Sequence, residues 1–194
     1  MNFLAHAWLA GAASADRIGG LIGDFIKGSL PGGLPADIAA GVELHRRIDS
    51  YADRHPAFIA SRARVSAERR RYGGIMVDMF YDHFLALHWH EYHPQSLAQY
   101  VGALYEELAS CPHLPPSFIR TLGYMREEDW LGSYRGIDAI SLTLDRLAEY
   151  RLRQPNRLGG AGEELEWMYA EFEADFRIFI RDAAQFSASH RAGR

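Results

Sequence analysis

In the stretch VELHRRIDSYADRHP, residues 42–56, His45, Asp49 and Asp53 recur at every fourth position. Residues four apart on an α-helix lie one above the other on the same face. At ~100° per residue, His45 and Asp49 share that face with Ile38, Gly41, Val42, Ile48 and Ala52, and Asp53 drifts to its edge. Glu43 and Arg47 fall on the opposite side. The imidazole and carboxylate therefore project from the apolar stripe. Burying a lone carboxylate costs several kcal/mol unless a cation or an arginine compensates it. A metal ion is one such cation, and a His–Asp pair exposed on the helix surface is the competing reading.

The stretch GGIMVDMFYDHFLALHWHEY, residues 73–92, repeats the pattern. Asp78 and Asp82 are four apart, His83 follows directly, and Ile75, Leu85 and Trp89 flank the same face. Like charges at this spacing repel, so a counter-charge is expected. Two such helices facing each other would bring His and Asp ligands to one centre, and mixed imidazole and carboxylate ligation suits Mn, Fe or Zn, with Mg an option where carboxylates dominate. Two further polar residues intrude on apolar segments. His6 lies in NFLAHAWLAG, and Asp24 lies in GGLIGDFIKG, where glycines permit close approach of another backbone or a ligand.

The elements that must position these groups are helical. Periodicity near 3.6 runs through almost the whole chain and sustained alternation is absent, which predicts helices near 3–14, 16–28, 35–54, 57–71, 74–92, 95–110, 115–127, 136–151 and 162–188. Breaks fall at PGGLP, HP, YGG, HP, CPHLPP and QPNRLGG. The expectation is an all-α, single-domain bundle of about eight to nine helices spanning 1–194. The aromatic stripe in EELEWMYAEFEAD reads as core packing.

Composition narrows the function. The chain has 194 residues, 48% of them hydrophobic, and a formal net charge of −4, which gives no support for nucleic-acid binding. The single cysteine, Cys111, allows no intrachain disulfide and suits a reducing cytoplasm. The first residues imitate a cleavable leader, but no Lys or Arg precedes Arg17, so they read as a buried helix. No apolar run approaches the ~20 residues of a membrane span. HEYHP, residues 90–94, is one residue short of the zinc-protease spacing. From Arg54 to Arg71, six arginines stand against the single Glu68, a local basic excess suited to an acidic protein or a phosphate.

NFLAH at 2–6, GDFIKG at 23–28, HRRID at 45–49, DHFLALHW at 82–89 and WLGSYR at 130–135 together resemble the acyl carrier protein phosphodiesterase family. The resemblance covers essentially the whole chain. It implies an all-helical relative of the HD-type metal-dependent phosphohydrolases. The implied activity is manganese-dependent removal of 4′-phosphopantetheine from the serine of holo acyl carrier protein. Carried onto this sequence, it marks His6, Asp24, His45, Asp49, Asp78, Asp82 and His83 as site candidates; the expected metal ligands are Asp24, His45, Asp82 and one of Asp49 or Asp78, with Mn²⁺ preferred and Mg²⁺ or another divalent ion allowed. His83 or His6 is the expected proton donor to the departing serine oxygen, and Arg46, which with Arg47 falls in the family's HRRID motif, is the expected phosphate clamp. Arg47 is a second substrate-binding candidate although the wheel turns it from the ligand face, and Arg69, Arg70 and Arg71 of the basic 54–71 run are the expected docking residues for a small acidic carrier protein. Asp82-His83 reverses the usual His-Asp order. A nucleotide or other small phosphoester is the alternative substrate, and a helical binding module without activity is the non-enzymatic alternative.

Overall fold

All residues 1–194 are described by a computed structural model, and they form helices without a strand. α1 (Phe3–Leu9) and α2 (Ser14–Ile22) lead into a 3₁₀ turn, Gly23–Phe25. α3 (Ala36–Ala52) and α4 (Pro56–Arg64) follow. A second 3₁₀ turn, Arg70–Tyr72, opens α5 (Gly73–Leu87), and α6 (Trp89–Tyr92) continues it. α7 (Leu97–Ala109), α8 (Pro116–Glu127), α9 (Trp130–Ser133) and α10 (Ile137–Tyr150) come next. α11 (Glu163–Trp167) and α12 (Tyr169–Ala192) close the chain.

The bundle is organised around α5. Met76, Val77 and every residue from Met79 to Ala86 are buried, so this helix is enclosed on nearly all sides. α12 lies against it through an aromatic ladder. Phe172 meets Phe80 at 5.0 Å between ring centroids, and Phe176 meets Tyr81 at 5.6 Å. Each such ring contributes ~1.5–3 kcal/mol of burial. The aromatic stripe of the C-terminal segment is therefore core, as its spacing predicts. α2 and α3 pack closely because Gly19 faces Gly41. A Cβ on Gly19 would lie 2.6 Å from the Gly41 backbone, so the two helices approach at a distance that only glycine permits.

The helices are all-α as expected but more finely divided: twelve, against the eight or nine expected. The 16–28 segment stops being α-helical at Ile22 and passes through the 3₁₀ turn. The 57–71 segment breaks at Val65, whose ψ of 135° leaves the helical region. The 74–92 helix breaks at His88 and the C-terminal one begins anew at Met168, where φ is −130°. α9 arises within WLGSYR, after Asp129 in the left-handed region at φ 45°. Apart from Gly23 after Ile22, these breaks have no Gly or Pro directly beside them in the sequence.

Candidate metal centre

α1, α3 and the Gly23–Phe25 turn converge on one point. α3 delivers His45 and Asp49 one turn apart, and the His45 Nε2 lies 3.2 Å from Asp49 Oδ2. α1 delivers His6, whose ring stacks on His45 at 3.8 Å between centroids and 20° between planes. The His6 Nε2 lies 3.1 Å from Asp49 Oδ1. The 3₁₀ turn delivers Asp24, with Oδ1 3.5 Å from His45 Nε2 and a side chain 69% exposed. His45 Nδ1 donates to the Gly20 carbonyl at 2.8 Å, which turns Nε2 toward the two carboxylates. One ligand atom each from His6, His45 and Asp49 falls within 4.8 Å of the others. The imidazoles are buried and Asp24 opens to solvent, so the group has a dry floor and a wet mouth.

The charge states follow from this crowding. Burial and the neighbouring His45 charge pull His6 down to about 3, so its ring is neutral. Burial also opposes charge on His45, but hydrogen bonds to Asp24 and Asp49 outweigh it and hold the ring protonated up to about 9. Asp49 pays a burial penalty too, yet the two imidazoles keep it far below the usual carboxylate range. Asp24 is lowered by its hydrogen bond to His45.

These residues fit a divalent cation. Neither nitrogen of the buried His6 has an aligned hydrogen-bond partner, despite the close Asp49 oxygen. A buried imidazole left so is costly as a structural group and apt as a metal ligand. Two imidazoles and two carboxylates are a donor set for Mn, Fe or Zn.

Asp78 reaches the group indirectly. The α-amino group of Met1 is buried between Asp49 Oδ1 at 2.9 Å and Asp78 Oδ1 at 3.1 Å. Burial alone would lower that amine, but the two aspartates hold it protonated up to about 11. Asp78 itself is raised, by burial first. Asp82, four residues on, does something different. Its Oδ2 accepts from the Leu4 N–H at 2.8 Å and its Oδ1 from the Ala5 N–H at 2.9 Å. It caps the start of α1, where orphan N–H groups and the helix dipole favour a carboxylate. Burial still lifts it to about 7.

Of the other expected site residues, Arg46 reaches the segment after Asp24 and the rest lie apart. His83 points away from the cluster, with Nδ1 donating to the Tyr134 carbonyl and Nε2 accepting from the Tyr169 hydroxyl, both at 2.8 Å. Arg46 donates to the Ile26 carbonyl at 3.0 Å and so braces the segment after Asp24. Arg47 pairs with Glu43 on the exposed side of α3. Arg69 is engaged by Glu164 and by the carbonyls of Arg157 and Gly159. Arg70 and Arg71 are exposed and pair with no carboxylate. Sequence reasoning missed two links. The Met1 amine and the Asp82 cap on α1 join segments far apart in the chain, and no local pattern announces either.

Residues 1–183 match the family model described as acyl carrier protein phosphodiesterase. A curated relative from Escherichia coli O139:H28 (strain E24377A / ETEC), named acyl carrier protein phosphodiesterase, is 36% identical over 195 residues, covering 99% of this chain and 100% of the relative. One of the same name from Escherichia coli O157:H7 (strain EC4115 / EHEC) is 36% identical, covering 96% and 98%. Another, from Shigella boydii serotype 18, is 35% identical, covering 99% and 100%. No solved structure matches the chain.

Proposed function

The chain belongs to the acyl carrier protein phosphodiesterase family, and from that premise we propose that it hydrolyses the phosphodiester joining 4′-phosphopantetheine to the serine of holo acyl carrier protein. The products are apo carrier protein and 4′-phosphopantetheine. The observation that carries this reading is the convergence of His6, His45 and Asp49 beside the exposed Asp24. Asp24, His45, Asp49 and His6 would hold the cation, with Mn²⁺ the proposed ion. Bound there, a divalent cation supplies Lewis acidity, polarising the phosphoryl group and making water a nucleophile at neutral pH. Asp49 orients both imidazoles, and Asp82 sets α1 so that His6 meets them. Asp24, at the wet mouth, is the residue that an incoming phosphodiester approaches first. Arg46, fixed to the Ile26 carbonyl beside Asp24, would supply a guanidinium to the phosphoryl oxygens.

The test is intact-mass measurement of holo acyl carrier protein incubated with the enzyme and Mn²⁺. The expected result is conversion to the apo mass with release of 4′-phosphopantetheine. Retention of the holo mass under conditions that cleave a free nucleotide would overturn the substrate assignment.

An acidic carrier protein needs a basic landing area, and the 54–71 segment supplies less than its composition suggests. Arg62 pairs with Asp53, Arg64 with Asp175 and Arg69 with Glu164, while Arg54 bonds the Ser50 carbonyl. Arg70 and Arg71 remain, directly ahead of α5, and Asp78 lies ~10 Å further along the helix at 1.5 Å per residue. Ile75, 38% exposed, stands between them and Asp78. Replacing Arg70 and Arg71 together by Ala is expected to raise KM for holo carrier protein about tenfold and flatten its salt dependence, with kcat unchanged. Steady-state kinetics at low and high salt check this, and an unaltered KM would move the landing area elsewhere.

A further inference from the structure

We propose that Gly23 is a positioning residue of the cluster: its missing side chain leaves the slot in which the His45 ring is held with Nε2 turned to Asp24 and Asp49. A Cβ built on Gly23 would lie 2.3 Å from His45 Cγ, 2.4 Å from Cδ2 and 2.6 Å from Nδ1. Those atoms are at the root of the imidazole, so no small swing of its far end relieves the overlap. The ring has no room to retreat. The His6 ring covers it at 3.8 Å, and the Nδ1 hydrogen bond to Gly20 pins its edge.

The backbone gives no other reason for glycine here. Gly23 sits at φ −51° and ψ −44°, ordinary right-handed helical values. On conformational grounds alanine would be preferred at such a position. Gly19, four residues earlier, is different in kind. A Cβ there would strike the backbone of Gly41 and push two helices apart. Gly19 therefore governs helix packing, whereas Gly23 governs one side chain. The Gly20 carbonyl engages Nδ1 and the space at Gly23 admits the ring, so Nε2 is the nitrogen left facing the carboxylates and free for a cation once its proton is displaced.

The inference rests, for its metal readout, on His45 being a ligand as proposed above. Gly23→Ala is expected to weaken Mn²⁺ binding by about 10- to 100-fold, as loss of an outer-shell support does, with the helical circular dichroism retained. In a His45→Ala background the same substitution should change Mn²⁺ affinity less than twofold, because the ring it displaces is gone. Mn²⁺ titration by calorimetry reads both. A general packing defect would instead subtract the same amount in either background, and that result would overturn the proposal. Should Gly23→Ala alone fail to fold, the double variant is expected to fold as His45→Ala does. Failure of both would also overturn it. The ¹H–¹⁵N signal of His45 Nδ1 provides a readout independent of metal. It should shift or vanish in Gly23→Ala even if the parent protein binds no Mn²⁺, and an unmoved signal would sink the role of Gly23 while leaving the metal reading standing.

Discussion

Asp49→Asn is expected to lower kcat/KM for holo acyl carrier protein by about 10³-fold, roughly 4 kcal/mol of transition-state stabilisation, while the protein stays folded. Asp49 is the carboxylate on which the whole cluster turns. It lies within 3.2 Å of His45, 3.1 Å of His6 and 2.9 Å of the Met1 amine. Burial disfavours its charge, and the surrounding imidazoles nonetheless keep it ionised. An amide of the same shape removes that charge and aims N–H hydrogens at one of these partners, which breaks the order imposed on both imidazoles. The matched control is Asp53→Asn. It has the same spacing from Asp49 that Asp49 has from His45, yet its side chain is 70% exposed and touches only Arg62 at 3.3 Å. A surface pair of this kind contributes ~0–1 kcal/mol, so Asp53→Asn should leave both activity and stability near those of the parent. Initial rates read by intact mass compare the three proteins. Residual activity above a tenth of the parent's in folded Asp49→Asn would remove Asp49 from the centre of the site.

That contrast shows what the sequence exposes and what it hides. Helix type follows from periodicity, and the placing of His45 and Asp49 on an apolar stripe is local information. Both emerge from a wheel without coordinates. Asp53, at the edge of the same wheel, is the C-cap of α3, and its side chain stands in solvent. Pairings between distant segments are invisible to such reasoning. Asp82 looks like the second member of a carboxylate pair with Asp78, but its oxygens bond the N–H groups of Leu4 and Ala5, nearly eighty positions earlier in the chain. Arg69 looks like part of an open basic run, and instead it reaches Glu164 and two carbonyls across the fold. His83 follows Asp82 directly, yet a helix turns each successive residue by ~100°, and this sends its ring to Tyr134 and Tyr169. Local spacing thus separates candidates from background, and long-range hydrogen bonding decides which of them meet.

Metal removal is the second large effect expected. Enzyme stripped by a chelator should release no prosthetic group above background, and added Mn²⁺ should restore the reaction. A readout without substrate follows from the same chemistry. A cation bound to the folded state alone stabilises it by about 2.7 kcal/mol at a hundred times its Kd, which for a chain of this length raises Tm by roughly 5–10 °C. The shift should depend on pH in a defined direction. Burial opposes charge on His45, but Asp24 and Asp49 hold its proton up to about 9, so below that pH cation binding must displace the proton from Nε2. Apparent affinity should therefore rise about tenfold per pH unit from 7 toward 9. The metal-free protein should behave oppositely. A histidine whose folded pKa is raised above 6.5 contributes stability that is complete below 6.5 and lost as pH climbs through 9. Over that window the Tm of the stripped protein should fall on this account, while the increment from Mn²⁺ grows. Thermal unfolding at pH 7 and pH 8.5, with and without Mn²⁺, measures both slopes. An increment that is absent, or that shrinks as pH rises, would mean that His45 keeps its proton and that the two imidazoles serve Asp49 as hydrogen-bond partners only.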